Sequence, residues 1–144
     1  MFNGKDKTKN FIFLFLVLAA STVFYFFYSQ AASTMTFSQE ESSLTFSGPR
    51  NTSCSFSFSS ITGISLDENP SYGISVEGGT LFGGNMYGIW ESDSLGTYQA
   101  YVTTRVTPCI IISDNEKTAV FNYSNAETTI SLYEQLAEYW KSNS

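Results

Sequence analysis

Ser53-Cys54-Ser55-Phe56-Ser57-Phe58-Ser59 decides the fold class of this chain. Side chains alternate faces along a strand, so this stretch places Cys54, Phe56 and Phe58 on one face and four serines on the other. That is the pattern of a strand buried on one side. Outward from it, apolar segments of strand length recur at 43–46, 61–66, 73–77, 86–91, 97–106, 109–113 and 118–123. Turn chemistry separates them at Asp67-Glu68-Asn69-Pro70-Ser71, Asp93-Ser94-Leu95-Gly96 and Ser113-Asp114-Asn115-Glu116-Lys117. Six of the ten glycines fall between Gly73 and Gly88, without the Lys-Ser/Thr that a phosphate loop needs after its last glycine. Sharp strand bends account for them better.

The chain closes on a helix, expected over 125–141. Ser124-Asn125-Ala126-Glu127 matches a capping box, with Ser124 accepting from the first turn and Glu127 reaching back. Ile130, Tyr133, Leu136, Ala137 and Trp140 then recur at helical spacing, giving one apolar face. Strands first and a helix last make an α+β, mainly β domain over 44–141.

A different pattern precedes it. Sixteen of the 18 residues from Phe11 to Tyr28 are apolar or aromatic, and no charge occurs from Asn10 to Gln39. At 1.5 Å per residue the 11–28 run forms a helix of about 27 Å, close to the ~30 Å hydrocarbon core of a bilayer. Lys5, Lys7 and Lys9 lie in the 1–10 tail before it, and the next cation is Arg50. The positive-inside rule then predicts a single-pass cell-membrane protein with a cytoplasmic N-terminus and an extracytoplasmic C-terminal domain. Residues 29–43 read as a polar tether. A cleaved signal peptide is the rival reading, since Ser29 and Ala31 put small residues before a cut at Ala32; its product would be a secreted domain. The apolar run exceeds the ~7–15 residues typical of such signals.

The 116 residues from Ser29 onward hold 34 Ser or Thr, 15 aromatics, four Lys or Arg and twelve Asp or Glu, so their net charge is 4 − 12 = −8. Each basic residue near an anionic surface is worth about 1 kcal/mol, so this balance disfavours anionic lipid recognition by the domain and excludes nucleic acid. The chain has no histidine, which removes Ser-His-Asp and Cys-His catalytic units and His-ligated metal sites. No cofactor is expected. Acidic neighbours, Glu91 with Asp93 and Asp67 with Glu68, fall at predicted turns or strand ends, where solvated carboxylates are ordinary. Cys54 and Cys109 are the only thiols; in an exported domain they form a disulfide or stay as two separately buried thiols, and the sequence leaves both open. Tyr87, Trp90, Tyr101 and Tyr139, with Arg105, are the candidate interaction surface, because exposed aromatics beside a few polar groups are typical interface material.

One family resemblance emerges from these pieces. The run Ile61-Thr62-Gly63-Ile64-Ser65-Leu66-Asp67, the glycine-rich stretch from Tyr72 to Gly88, Gly96-Thr97-Tyr98-Gln99-Ala100-Tyr101-Val102, Cys109-Ile110-Ile111-Ile112-Ser113, Phe121-Asn122 and the closing Glu127-Thr128-Thr129-Ile130-Ser131-Leu132-Tyr133-Glu134-Gln135-Leu136 resemble the bacterial pleckstrin-homology-like domains. The resemblance implies a bent antiparallel barrel of about seven strands, capped at one end by the C-terminal helix. Such domains are commonly attached to membrane segments. Pro70-Ser71-Tyr72-Gly73 departs from the pattern, lacking the arginine often found before the first glycine, so no role of that residue carries over. The functional expectation is a non-enzymatic membrane-anchored module that binds a protein partner of unknown identity at the cell envelope. The alternative, a ligand-binding or enzymatic ectodomain acting on envelope material, requires a concave site with convergent polar groups.

Overall fold

A computed structural model describes the backbone of residues 4–31 and 33–143, with side chains for 8–25 and 33–143. The chain divides into two units, residues 1–30 and 31–144.

The first unit is helix α1 (Gly4–Ala31), longer at both ends than the expected 11–28. It carries the one span among the described residues that is long and apolar enough to cross a membrane, Thr8–Tyr25, with mean hydropathy 1.6 and none of it buried. Two hydroxyl residues within the span are satisfied internally: Ser21 Oγ donates to the Val17 carbonyl and Thr22 Oγ1 to the Leu18 carbonyl at 2.8 Å. Those two hydroxyls are thereby paired within the helix, as an apolar surrounding requires. The suggested cut at Ala32 lies outside the described residues.

The second unit is α+β and mainly sheet. Strands β1 (Thr34–Ser38), β2 (Ser43–Ser47) and β3 (Ser53–Ser57) form an antiparallel meander. Strands β4 (Gly63–Asp67), β5 (Ile74–Leu81), β6 (Asn85–Ser92), β7 (Gly96–Thr103), β8 (Cys109–Ser113) and β9 (Thr118–Phe121) form a second sheet in the order β4-β8-β9-β7-β6-β5, and helix α2 (Ala126–Asn143) closes the chain. Nine strands among the described residues replace the expected seven or so. The β8–β9 hairpin inserts β9 beside β7, and that pair is parallel, so the sheet is not wholly antiparallel. Asp114 holds the hairpin turn by accepting from the Glu116 and Lys117 amides at 2.8 Å each.

The 29–43 stretch is not a tether throughout, because β1 occupies its middle and β2 begins at its last residue. Its polar composition conceals an alternation: Met35 and Phe37 pack on the core while Thr34 and Thr36 are exposed.

Two cores explain the larger sheet. Leu44, Phe46, Cys54, Phe56 and Phe58 of the first meander meet Tyr101, Ile110, Ile112, Ala119 and Phe121 on one of its faces, and Leu136 of α2 joins them. On the opposite face Met86, Tyr98, Ala100, Val102, Cys109 and Val120 form a second cluster, with Tyr72, Trp90, Leu95 and Ile111 packed against it. A sheet buried on both faces needs central strands that are apolar throughout, which is why Cys109-Ile110-Ile111-Ile112 does not alternate. Tyr98 spans this second core and donates its hydroxyl to the Tyr72 carbonyl at 2.6 Å.

Helix α2 packs against β4 and β8. Its buried face runs through Thr129, Leu132, Tyr133, Leu136, Tyr139 and Trp140, whereas Ile130 is 38% exposed. Thr129 takes the inward place because its hydroxyl is satisfied there, donating to the Asn125 carbonyl and accepting from the Tyr123 amide, both at 3.0 Å. The expected capping box is corrected. Helix α2 begins at Ala126, and the Asn125 side chain accepts from the Thr128 amide at 3.1 Å, so Asn125 is the cap and Ser124 lies one residue too early. Asn125→Ala is expected to cost about 1 kcal/mol in urea unfolding, while Ser124→Ala should leave the midpoint within error; the reverse ranking would restore the box.

Candidate functional site

The site is built on a strained turn. After β2 the chain reverses through Gly48-Pro49-Arg50-Asn51-Thr52, where the Gly48 amide donates to the Thr52 carbonyl at 2.8 Å and the Thr52 hydroxyl to the Pro49 carbonyl at 2.9 Å. Arg50 and Asn51 both take left-handed backbone angles, φ 57° and 59°. Two consecutive non-glycine residues there are unusual and costly, of order 1–3 kcal/mol each, and persist only where surrounding structure holds them. Tyr101 supplies the support: a Cβ on Gly48 would come within 2.9 Å of its ring, so only glycine lets the turn lie against it. The turn projects Arg50, whose guanidinium carbon stands 5.7 Å from the centre of the Tyr87 ring. This is a cation–π arrangement.

Below the turn lies a groove of about 500 Å³, lined by Arg50, Thr52 and Ser53 from one sheet and by residues of β5, β6 and β7 from the other. Register explains its floor. Tyr87 faces Tyr101, Ile89 faces Gln99, Glu77 faces Ile89 and Gly79 faces Tyr87, so all of these share one face of the sheet. Gly78 and Gly88 are paired, with φ 106° and 91°; a Cβ on either would lie 2.3 or 2.2 Å from the facing strand's carbonyl oxygen. These glycines permit the close approach of β5 and β6. Tyr101 is 1% exposed and donates its hydroxyl at 3.0 Å to Oε1 of Gln99, which lines the groove beside it. Burial pushes the Tyr101 phenol up, so it stays a neutral donor. Arg50 and Glu77 line the same groove without forming an ion pair among the described residues.

The five residues expected to form an interaction surface do not share one. Tyr87 and Tyr101 are buried in the groove floor, Trp90 packs on the opposite face of the sheet, and Tyr139 sits in a ring cluster 4.9 Å from Phe37 and 4.7 Å from Phe58. Arg105 is exposed in the turn after β7, beside Gly84. Aromatic count alone cannot tell a core ring from a surface one. The residues missed were Arg50, Glu77 and Gln99, and their only sequence signal was the compact Gly48-Pro49 turn preceding a lone arginine. Exposed apolar side chains lie instead on the β5–β6 hairpin: Ile74, Val76 and Phe82 are 68%, 58% and 79% exposed.

Cys54 and Cys109 are both free and buried, which corrects the disulfide alternative. Cys54 belongs to the core between the sheets; Cys109 points to the other face of β8. The sheet itself lies between them. Native protein is expected to react with a thiol reagent at neither cysteine, and denatured, unreduced protein at both; no reaction in denaturant would restore the bridge. Burial raises the Cys54 thiol and pushes Cys109 from 9.0 to about 11, the Tyr72 and Asn122 hydrogen bonds only partly offsetting it. Burial, with Cys109 nearby, likewise pushes Tyr98 from 10.0 to about 12. Each group's stabilising contribution is full below its unfolded pKa and is lost as pH rises through the folded value. Unfolding free energy should therefore fall progressively between about pH 9 and 12, and a flat urea midpoint over that range would contradict it.

Among the described residues no group of three or more Cys, Asp or Glu is placed to hold a metal ion. Asp67 accepts from the Asn69 amide at 2.9 Å and so serves its turn. Comparison with protein-family models, with curated proteins and with solved structures found no match.

Proposed function

We propose that this chain is a non-enzymatic, single-pass membrane protein whose sheet domain, a pleckstrin-homology-like barrel capped by α2, binds a protein partner on the extracytoplasmic side of the cell membrane. The observation that carries this reading is the β5–β6 hairpin, where β5 is an edge strand and Ile74, Val76 and Phe82 are exposed. Exposed apolar side chains along an edge strand and its hairpin turn favour contact with another protein. The apolar run of α1 and the lysines in its first turns, Lys5, Lys7 and Lys9, support the anchor and its orientation.

Site-specific photocrosslinking in cells tests it. A photoreactive residue at Val76 or Phe82 should give one discrete adduct that is absent from Thr97, an exposed control on β7. Identical adducts from all three positions, or none, would refute the partner surface. Impermeant thiol labelling at an introduced Thr97→Cys reports the side of the membrane: reaction in intact cells supports export, and reaction only after permeabilisation refutes it.

A second reading has its own observation. The groove beneath Arg50 is concave, of about 500 Å³, and lined by guanidinium, carboxylate, amide and hydroxyl groups, as a ligand-binding ectodomain requires.

A further inference from the structure

We infer that the groove between the Gly48–Thr52 turn and strands β5 to β7 binds a short peptide with free termini, its carboxylate at Arg50 and its ammonium group at Glu77. The inference deepens the binding reading above and rests on it. Three features select this ligand class. First, Arg50 in the turn between β2 and β3 and Glu77 on β5 carry opposite charges, line one groove and do not pair with each other among the described residues. A molecule holding both complementary charges engages them together. Second, Gln99 lines the same groove, its oxygen accepts from the Tyr101 hydroxyl at 3.0 Å, and its amide N–H groups have no acceptor among the described residues. Peptide carbonyls are natural acceptors for such a donor. Third, Tyr87 holds the Arg50 guanidinium in cation–π contact, and Gly79 leaves open space beside Tyr87 on the edge strand. The planar fork of Arg50 is thereby kept oriented for a carboxylate, which it can grip with two hydrogen bonds.

The domain's overall charge sharpens the choice. With a net charge of −8 from residue 29 onward, a plain anion is repelled from the whole surface and a plain cation is attracted without regard to site. A zwitterion escapes both effects and depends on the two local charges. One arginine held in a left-handed turn over an aromatic ring is a costly way to place a merely solvated cation.

The test uses the full-length chain in detergent micelles, titrated with glycine, diglycine, triglycine and tetraglycine and followed by amide resonances. Saturable shifts confined to residues 50–53, 77–79, 87–89 and 99–101, with an optimum peptide length, are expected. N-acetyl-triglycine and triglycine amide should each bind at least five-fold more weakly than triglycine, as should Arg50→Gln and Glu77→Gln proteins with the free peptide. Arg50→Lys keeps the charge without the fork and should fall between wild type and Arg50→Gln. Equal binding of blocked and free peptides, shifts elsewhere, or no saturation would overturn the inference. If the Val76 crosslink persists in that case, the partner reading stands and only the peptide site is lost.

Discussion

Replacing Asn122 by Ala is expected to lower the unfolding free energy of the sheet domain by about 3 kcal/mol or more. Asn122 is 1% exposed and uses every polar atom of its side chain. Its Oδ1 accepts from the Thr103 amide at 2.7 Å, and its Nδ2 donates to the Thr103 carbonyl at 3.1 Å and the Val106 carbonyl at 2.8 Å. These bonds tie the end of β9 to the end of β7 and to the crossover leading into β8. Alanine leaves one amide and two carbonyls without this partner, at about 1–3 kcal/mol for each group that water cannot reach. Asn122→Asp is the sharper variant. It keeps the acceptor but turns a carboxylate oxygen toward two carbonyls, so it should be at least as destabilising at pH 7 and should recover partly as acid protonates the buried group. Urea unfolding followed by tyrosine and tryptophan fluorescence measures both. A loss under about 1 kcal/mol for Asn122→Ala would show that water replaces the side chain freely.

Phe46→Ala is expected to cost about 3–5 kcal/mol by the same measurement. Phe46 lies on β2, the middle strand of the small sheet, and is 1% exposed. Its ring centre is 6.2 Å from Phe56 on its own sheet, and 5.8 Å from Tyr101 and 5.2 Å from Phe121 on the other. It is the ring through which the two sheets interlock. Truncation removes a large buried apolar surface and leaves a cavity whose walls belong to strands that cannot easily collapse. Phe46→Leu fills most of that volume and should cost less than about 1.5 kcal/mol. Comparable losses for the two variants would mean that ring geometry outweighs volume.

Legibility in the sequence tracked the range of the interactions. The alternation over 53–59 was readable because one strand against one core imposes period two, and Cys54, Phe56 and Phe58 are all buried as read. The alternation over 34–38 was hidden by Ser and Thr at its outward positions. Ser124 and Asn125 are both good caps, and only the start of the first turn distinguishes them. Asn122 appears in the sequence as part of an Asn-Tyr-Ser triplet that a glycosylation motif also matches, yet burial and three backbone bonds give it a structural role. Arg50, Glu77 and Gln99 are separated by 27 and 22 positions, and no local pattern relates them.

Composition and periodicity are local properties of a chain, and they were enough to establish the bilayer-length apolar helix, the mainly β character of the domain after it, and the acidic, histidine-free chemistry. Packing in three dimensions was needed to establish that β9 lies parallel to β7, that a sheet separates Cys54 from Cys109, and that Arg50 stands over Tyr87 across from Glu77. Those outcomes depend on strand order and register, which are set by how two sheets and a helix bury their apolar faces together. A reading residue by residue sees each face, and only packing shows which faces meet.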